Sequence, residues 1–245
     1  TELRSFGNLL DQGENVAIFE PPKSGKNSFI QQTFFNMKVT GVQFIPVNFS
    51  LMTIRTLQDL ALKFGSAVLG AFGRTQAGHA ANVALFLPDT HFVFDPTVFS
   101  AGGGILSANW ELDDNDLKAV FDLPYRIAAD NSRRMVIVLD EFQNVMLTED
   151  GDKVCHIMEK IFSEVDPSDK RWVSFVFSGS MVNAMKEIFA HRKFFYRQVN
   201  ILPLGNIDTK EIIDHAVRCF LASGKVLDRD LMLGVCKLFK NHICY

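Results

Sequence analysis

Apolar positions along the chain fall into two patterns. Three short runs are apolar with little or no polar break: Val16-Ala17-Ile18-Phe19, Met135-Val136-Ile137-Val138-Leu139 and residues 172–177 (WVSFVF). Runs of this length, rich in branched and aromatic side chains, are what strands buried on both faces of a parallel sheet require. Residues 42–49 (VQFIPVNF) and 199–202 read as two more strands, and Pro46 places the former toward a sheet edge. Between them the spacing changes to three and four, the period of a helix with one buried face. It predicts helices over 1–13, 29–38, 53–71, 111–129, 154–165, 181–189, 208–223 and 228–240. Strands alternating with helices predict an α/β fold, three layers around a mostly parallel central sheet.

Two details qualify the pattern. The helix over 111–129 opens on Asp113, Asp114 and Asp116, which suits its positive end, and Pro124 should kink or end it. Residues 73–110 sustain neither period. With Pro88, Pro96, Gly102-Gly103-Gly104 and the patch His91-Phe92-Val93-Phe94, they read as an insertion over the nucleotide-site side of the fold, a small hairpin or helical flap.

The junction after the first strand carries chemistry. Residues 20–28 read EPPKSGKNS, so a strand, a tight loop and a helix follow one another with Gly25-Lys26 at the loop exit. Unpaired N–H groups at a helix start carry partial positive charge and suit phosphate oxygens. Pro22, Lys23, Ser24, Gly25, Lys26, Asn27 and Ser28 form the candidate cradle, with Lys26 placed between the outer phosphates. Two residues depart from the GxxxxGK[ST] pattern. Glu20 puts a carboxylate where the first Gly is expected, and Asn27 stands where a hydroxyl meets Mg²⁺. The Asn27 amide oxygen can serve as an uncharged hard ligand.

The buried run 135–139 delivers Asp140-Glu141 at its carboxyl end. A parallel strand that ends in two carboxylates is what a Mg²⁺-nucleotide site needs. Asp140 is the candidate ligand for the metal or its water, and Glu141 the candidate group to polarise an attacking water.

With both motifs in place, the chain resembles the P-loop ATPases of the AAA+/STAND class, in particular the archaeal-type ATPases also common in gut bacteria. The resemblance rests on residues 21–28 (PPKSGKNS), 136–144 (VIVLDEFQN), 175–185 (FVFSGSMVNAM) and 194–204 (FFYRQVNILPL), and runs across most of the chain except 73–110. It implies a P-loop NTPase core over 1–204, then the start of a helical lid domain over 205–245 that the family continues into a winged-helix domain. It also implies ATP and Mg²⁺ as ligands, with hydrolysis driving a conformational switch. Ser178 matches the polar residue that senses the γ-phosphate, and the same Ser equally reads as a turn capping the next helix. Arg197 matches an arginine that reaches the γ-phosphate or a neighbouring subunit, with Arg192 a weaker candidate. Arg4 lies on a segment that in such proteins runs beside the adenine. A nucleotide-binding regulator with little hydrolysis and a nucleotide-free scaffold are the alternatives.

Composition narrows the partners. A net charge of −3 gives no global basic field for nucleic acid; DNA contact is expected only through a region beyond the chain. An unknown protein partner, or self-association, remains open. The apolar runs are shorter than a membrane helix needs, and no signal peptide opens the chain. Cys155, Cys219, Cys236 and Cys244 show no CxxC spacing, which reads as incidental thiols in a reducing cytoplasm. The neighbours Cys155-His156 project about 100° apart on a helix, and His215 with Cys219 lacks a third ligand, so neither predicts a metal site.

Overall fold

The computed structural model describes residues 2–205, 207–239 and 241. In chain order the elements begin α1 (Glu2–Asp11), β1 (Asn15–Phe19), α2 (Lys26–Val39), β2 (Ile45–Ser50) and α3 (Leu57–Gly70). There follow α4 (Gln76–Phe86), β3 (Phe92–Phe94), α5 (Pro96–Ser100), β4 (Leu106–Ala108) and α6 (Asp114–Asp130). Then come β5 (Met135–Asp140), a 3-10 turn (Phe142–Leu147), α7 (Gly151–Glu164), α8 (Pro167–Lys170) and β6 (Val173–Gly179). The chain closes with α9 (Val182–Lys186), a π turn (Glu187–His191), β7 (Val199–Ile201), α10 (Thr209–Ala222) and α11 (Arg229–Leu238).

The five buried or edge runs pair in the order β2-β5-β6-β1-β7, all parallel. Pro46 is accommodated because β2 is an edge strand, where a missing N–H leaves no ladder bond unmade. Alternation sorts each strand's side chains onto two faces. Val16, Ile18, Val136, Val138 and Val176 pack with Phe6, Leu10, Ile30 and Phe34 under α1 and α2. Ala17, Ile137, Leu139, Phe175 and Phe177 pack on the other face with α3, α6 and α7 residues. This is the three-layer α/β arrangement expected from the pattern.

Three expectations need correction. Residues 73–110, expected over the nucleotide-site side, fold as α4, the antiparallel β3–β4 hairpin and α5, and Val83, Phe86, Phe92 and Leu106 from this segment join the core on the α3–α6 face. The segment lies against the layer opposite the Lys26-bearing helix, so it does not cover the phosphate loop. Second, α6 runs through Pro124 to Asp130, because the buried face of Leu123, Pro124, Tyr125 and Ile127 holds it against the sheet. Third, α3 begins only at Leu57, capped by the Thr56 hydroxyl accepting from the Asp59 amide. Asp208 caps α10, its carboxylate accepting from the Lys210 amide. Cys244 lies outside the described residues. Among the described residues no helix is long and apolar enough to cross a membrane.

Candidate functional site

Parallel pairing brings strand ends together. Phe19 sits beside Gly179, and Ser50 beside Asp140, so the loop after β1, the Asp140-Glu141 pair and the end of β6 share the carboxyl edge of the sheet. Such an edge is where parallel α/β sheets hold ligands.

The loop 20–25 is bent by left-handed backbone at Lys23 (φ 62°) and Gly25 (φ 90°). Gly25 is the N-cap of α2, and no side chain caps the helix. The first-turn amides of Lys26, Asn27 and Ser28 therefore have no carbonyl partner inside the helix and remain available to an anion. Lys26 is buried, and its ammonium donates to the Glu20 carbonyl at 2.7 Å and the Pro21 carbonyl at 3.0 Å. Burial pulls its pKa below the ordinary lysine value, while the carboxylates of Glu141, Asp140 and Glu20 pull it back up. The ammonium and the carboxylate pair are thus within electrostatic reach of each other. The Ser24 hydroxyl is buried in the loop without a partner. Pro22, Lys23, Asn27 and Ser28 are exposed.

Glu20 is accounted for by an interaction across the sheet. Its side-chain Oε1 accepts the Leu204 backbone N–H at 3.2 Å, just after β7. The carboxylate that replaces the pattern's glycine ties the start of the phosphate loop to the segment leading toward α10.

Asn27 and Asp140 line one cleft of about 240 Å³ with Gln31, Asn48 and Ser50. One carboxylate with neutral amide and hydroxyl oxygens is a donor set suited to a hard cation that keeps several waters. The residues present therefore fit Mg²⁺. Asn48 and Ser50 were not expected from the sequence; their signal was only that the 42–49 strand ends level with Asp140.

Glu141 adopts left-handed backbone (φ 54°) at the exit of β5. Its Oε2 accepts from Gln143 Nε2 at 2.5 Å, from Ser180 Oγ at 2.7 Å and from the Ser180 amide at 3.3 Å. Burial pushes the carboxyl pKa up, but these donors and the Lys26 charge outweigh it and hold it below the usual value.

The remaining candidates sit as follows. Ser178 is fully buried inside β6, opposite Ile18, and its hydroxyl has no partner; the residue that touches Glu141 is Ser180, two positions on. Strand β6 runs two residues past Phe177, which carries Ser178 into the sheet. Arg197 precedes β7, whose Val199 pairs with Asn15 at the start of β1. It therefore lies at the amino edge of the sheet, about 13 Å of strand away from the phosphate loop, with its guanidinium over the exposed Tyr196 ring. Arg192 is engaged by Asp152 and Glu187 on the surface, and Arg4 is exposed.

No protein-family model matches the chain, and no curated protein matches it. Solved structures do. A Walker-type ATPase of Pyrococcus abyssi aligns at TM-score 0.62 and 12% identity, over 97% of this chain and 61% of its own. The ORC2 protein of Aeropyrum pernix, in ADPNP-ADP complexes, aligns at 0.52 and 14% identity, over 88% and 48%. The ORC1 protein of the same organism, in complex with DNA, aligns at 0.51 and 16% identity, over 87% and 46%. The chain spans only 46% to 61% of the length of these three proteins. At such identities the likeness is one of fold: the chain has the α/β P-loop NTPase fold.

Proposed function

We propose that the chain binds ATP with Mg²⁺ and hydrolyses it, using the change to switch conformation. The observation that carries the reading is the meeting of Lys26 with Asp140 and Glu141 at the carboxyl edge of the sheet. The loop amides and Lys26 hold the phosphates, Lys26 exchanging the Glu20 and Pro21 carbonyls for phosphate oxygens. Asn27 and Asp140 serve the cation, which when bound neutralises phosphate charge. Glu141, kept ionised by its donors, accepts a hydrogen bond from the attacking water and orients it. Ser180, on the β6 side of the site, takes the sensing role first assigned to Ser178, because its hydroxyl links that strand to Glu141. Arg197 acts on a neighbouring copy, which makes self-association part of the proposal. Residues 1–204 form the nucleotide-binding core, and α10 with α11 begin the helical lid. Nucleic acid enters the reading only through a region outside this chain, since a net charge of −3 gives these residues no global basic field.

A regulator with slow turnover is the second reading. It is favoured by Asn27, which offers an exposed amide in place of a hydroxyl.

Thermal unfolding with and without ATP·Mg²⁺, alongside single-turnover hydrolysis, tests both. Saturating ATP at roughly 100 times Kd stabilises the wild type by about 2.7 kcal/mol, and Lys26→Ala abolishes that shift. Glu141→Gln keeps the shift and slows hydrolysis by roughly 10²- to 10⁴-fold. Equal turnover in wild type and Glu141→Gln overturns the enzymatic reading. A wild type unmoved by ATP leaves the nucleotide-free scaffold.

A further inference from the structure

The donors gathered on Glu141 are distributed unevenly. Gln143 Nε2 and both donors of Ser180 converge on Oε2, while Oε1 accepts no hydrogen bond among the described residues. A carboxylate held by one oxygen has its second oxygen free for a substrate water.

Gln143 reaches this position from the 3-10 turn after β5, and its side chain is buried. Its own Oε1 is buried without a partner. A Cβ on residue 179 would come within 2.6 Å of that acceptor and 2.5 Å of the Met185 side chain, so Gly179 leaves room for both. Rotating the amide by half a turn would present its oxygen to the Glu141 carboxylate, a repulsive pair, and so the orientation follows from charge. A buried acceptor left unpaired is destabilising. Local expense of this kind, in contact with Glu141 and its left-handed backbone, belongs to a site shaped for chemistry more than for folding.

We propose that Gln143 is a positioning residue: with Gly179 making its niche, it pins Glu141 Oε2 so that Oε1 faces the attacking water. It touches neither phosphate nor cation and acts only through Glu141. The inference rests on the hydrolytic reading above and deepens it.

Gln143→Leu tests it, since Leu fills much of the same volume and removes both the donor and the stranded acceptor. If the side chain were there for structure, Leu would lower the melting temperature and leave Glu141 unaffected. The positioning role predicts an unchanged or higher melting temperature, a fluorescent-ATP affinity within about threefold of wild type, and a single-turnover rate lower by roughly 10- to 100-fold, the effect of one hydrogen bond to a charged group. It also predicts that crystal structures of the nucleotide-free wild type and Gln143→Leu differ at Glu141, whose carboxylate keeps a single orientation in the former and loses it in the latter. A Glu141 side chain held in Gln143→Leu as it is in wild type overturns the proposal, as does a wild-type turnover rate in that variant. Because the crystal structures need no nucleotide, a wild type that fails to hydrolyse ATP defeats the functional reading while the clamp is still judged on its own.

Discussion

Glu20 offers a test in which charge and structure separate. Its carboxylate stands at the start of a loop built for a polyanion, and it also anchors the Leu204 amide. Glu20→Gln keeps an oxygen that can accept from that amide but removes the charge. Glu20→Gly restores the usual loop pattern and removes both. A unit charge at about 8 Å from one phosphate charge, with an effective dielectric between 20 and 80, interacts by about 0.5–2 kcal/mol. Removing it should tighten ATP binding by roughly 2- to 30-fold in both variants. Stability divides them. The Gly variant loses a hydrogen bond to a charged acceptor, about 1.5 kcal/mol at this half-buried site, and gains chain entropy in the unfolded state worth about 0.5–1 kcal/mol. At about 2–4 °C per kcal/mol for a chain of this size, its melting temperature falls by about 4–10 °C. The Gln variant stays within about 1 kcal/mol of wild type. Fluorescent-ATP titration at 0.05 and 0.5 M salt, paired with thermal unfolding, reads both quantities, and the charge effect should shrink at the higher salt. Tighter binding absent from Glu20→Gln at low salt, or equal stability losses in the two variants, would refute the reasoning.

Two further outcomes follow from the packing. His91 Nδ1 lies 2.8 Å from Asp116, whose buried carboxylate also accepts the His91 and Asp113 amides. The hydrogen bond to Asp116 raises the His91 pKa; burial raises that of Asp116, but the Asp113 and His91 donors more than reverse it and leave it low. The histidine's contribution is therefore complete below its unfolded pKa of about 6.5 and is lost as pH rises through its higher folded value. The aspartate's is present above about 3.9 and is lost as pH falls through its lower folded value. Melting temperature should decline above pH 6.5 in wild type, and His91→Asn should flatten that decline; an unchanged slope would count against the pair. Phe177 is fully buried and packs its ring against Phe142, Phe189 and Phe195. Phe177→Ala should cost about 3–5 kcal/mol in urea unfolding, and a loss below about 1 kcal/mol would show that the aromatic cluster closes over the gap.

Local pattern alone specified a good deal. Uninterrupted branched runs at 16–19 and 135–139 mark strands covered on both sides, because only such a run can satisfy two apolar layers at once. The change from strand to helix around Gly25-Lys26 marks a phosphate-type loop, and Asp140-Glu141 marks the acidic end of a strand, since both follow from backbone geometry within a few residues. Pro124 misled because propensity is local while the force holding α6 together is its packing on the sheet. Ser178 and Ser180 could not be told apart, as strand ends are set by where pairing partners run out. The strand order was decided only in three dimensions, and with it the meeting of Lys26 with carboxylates more than a hundred residues away. So were the bond from Glu20 to Leu204, 184 positions apart, and the placing of Arg197 on the far edge. Periodicity records which side of an element avoids water. Which elements become neighbours depends on the summed packing of the whole chain, and the chemistry of this site lies between neighbours.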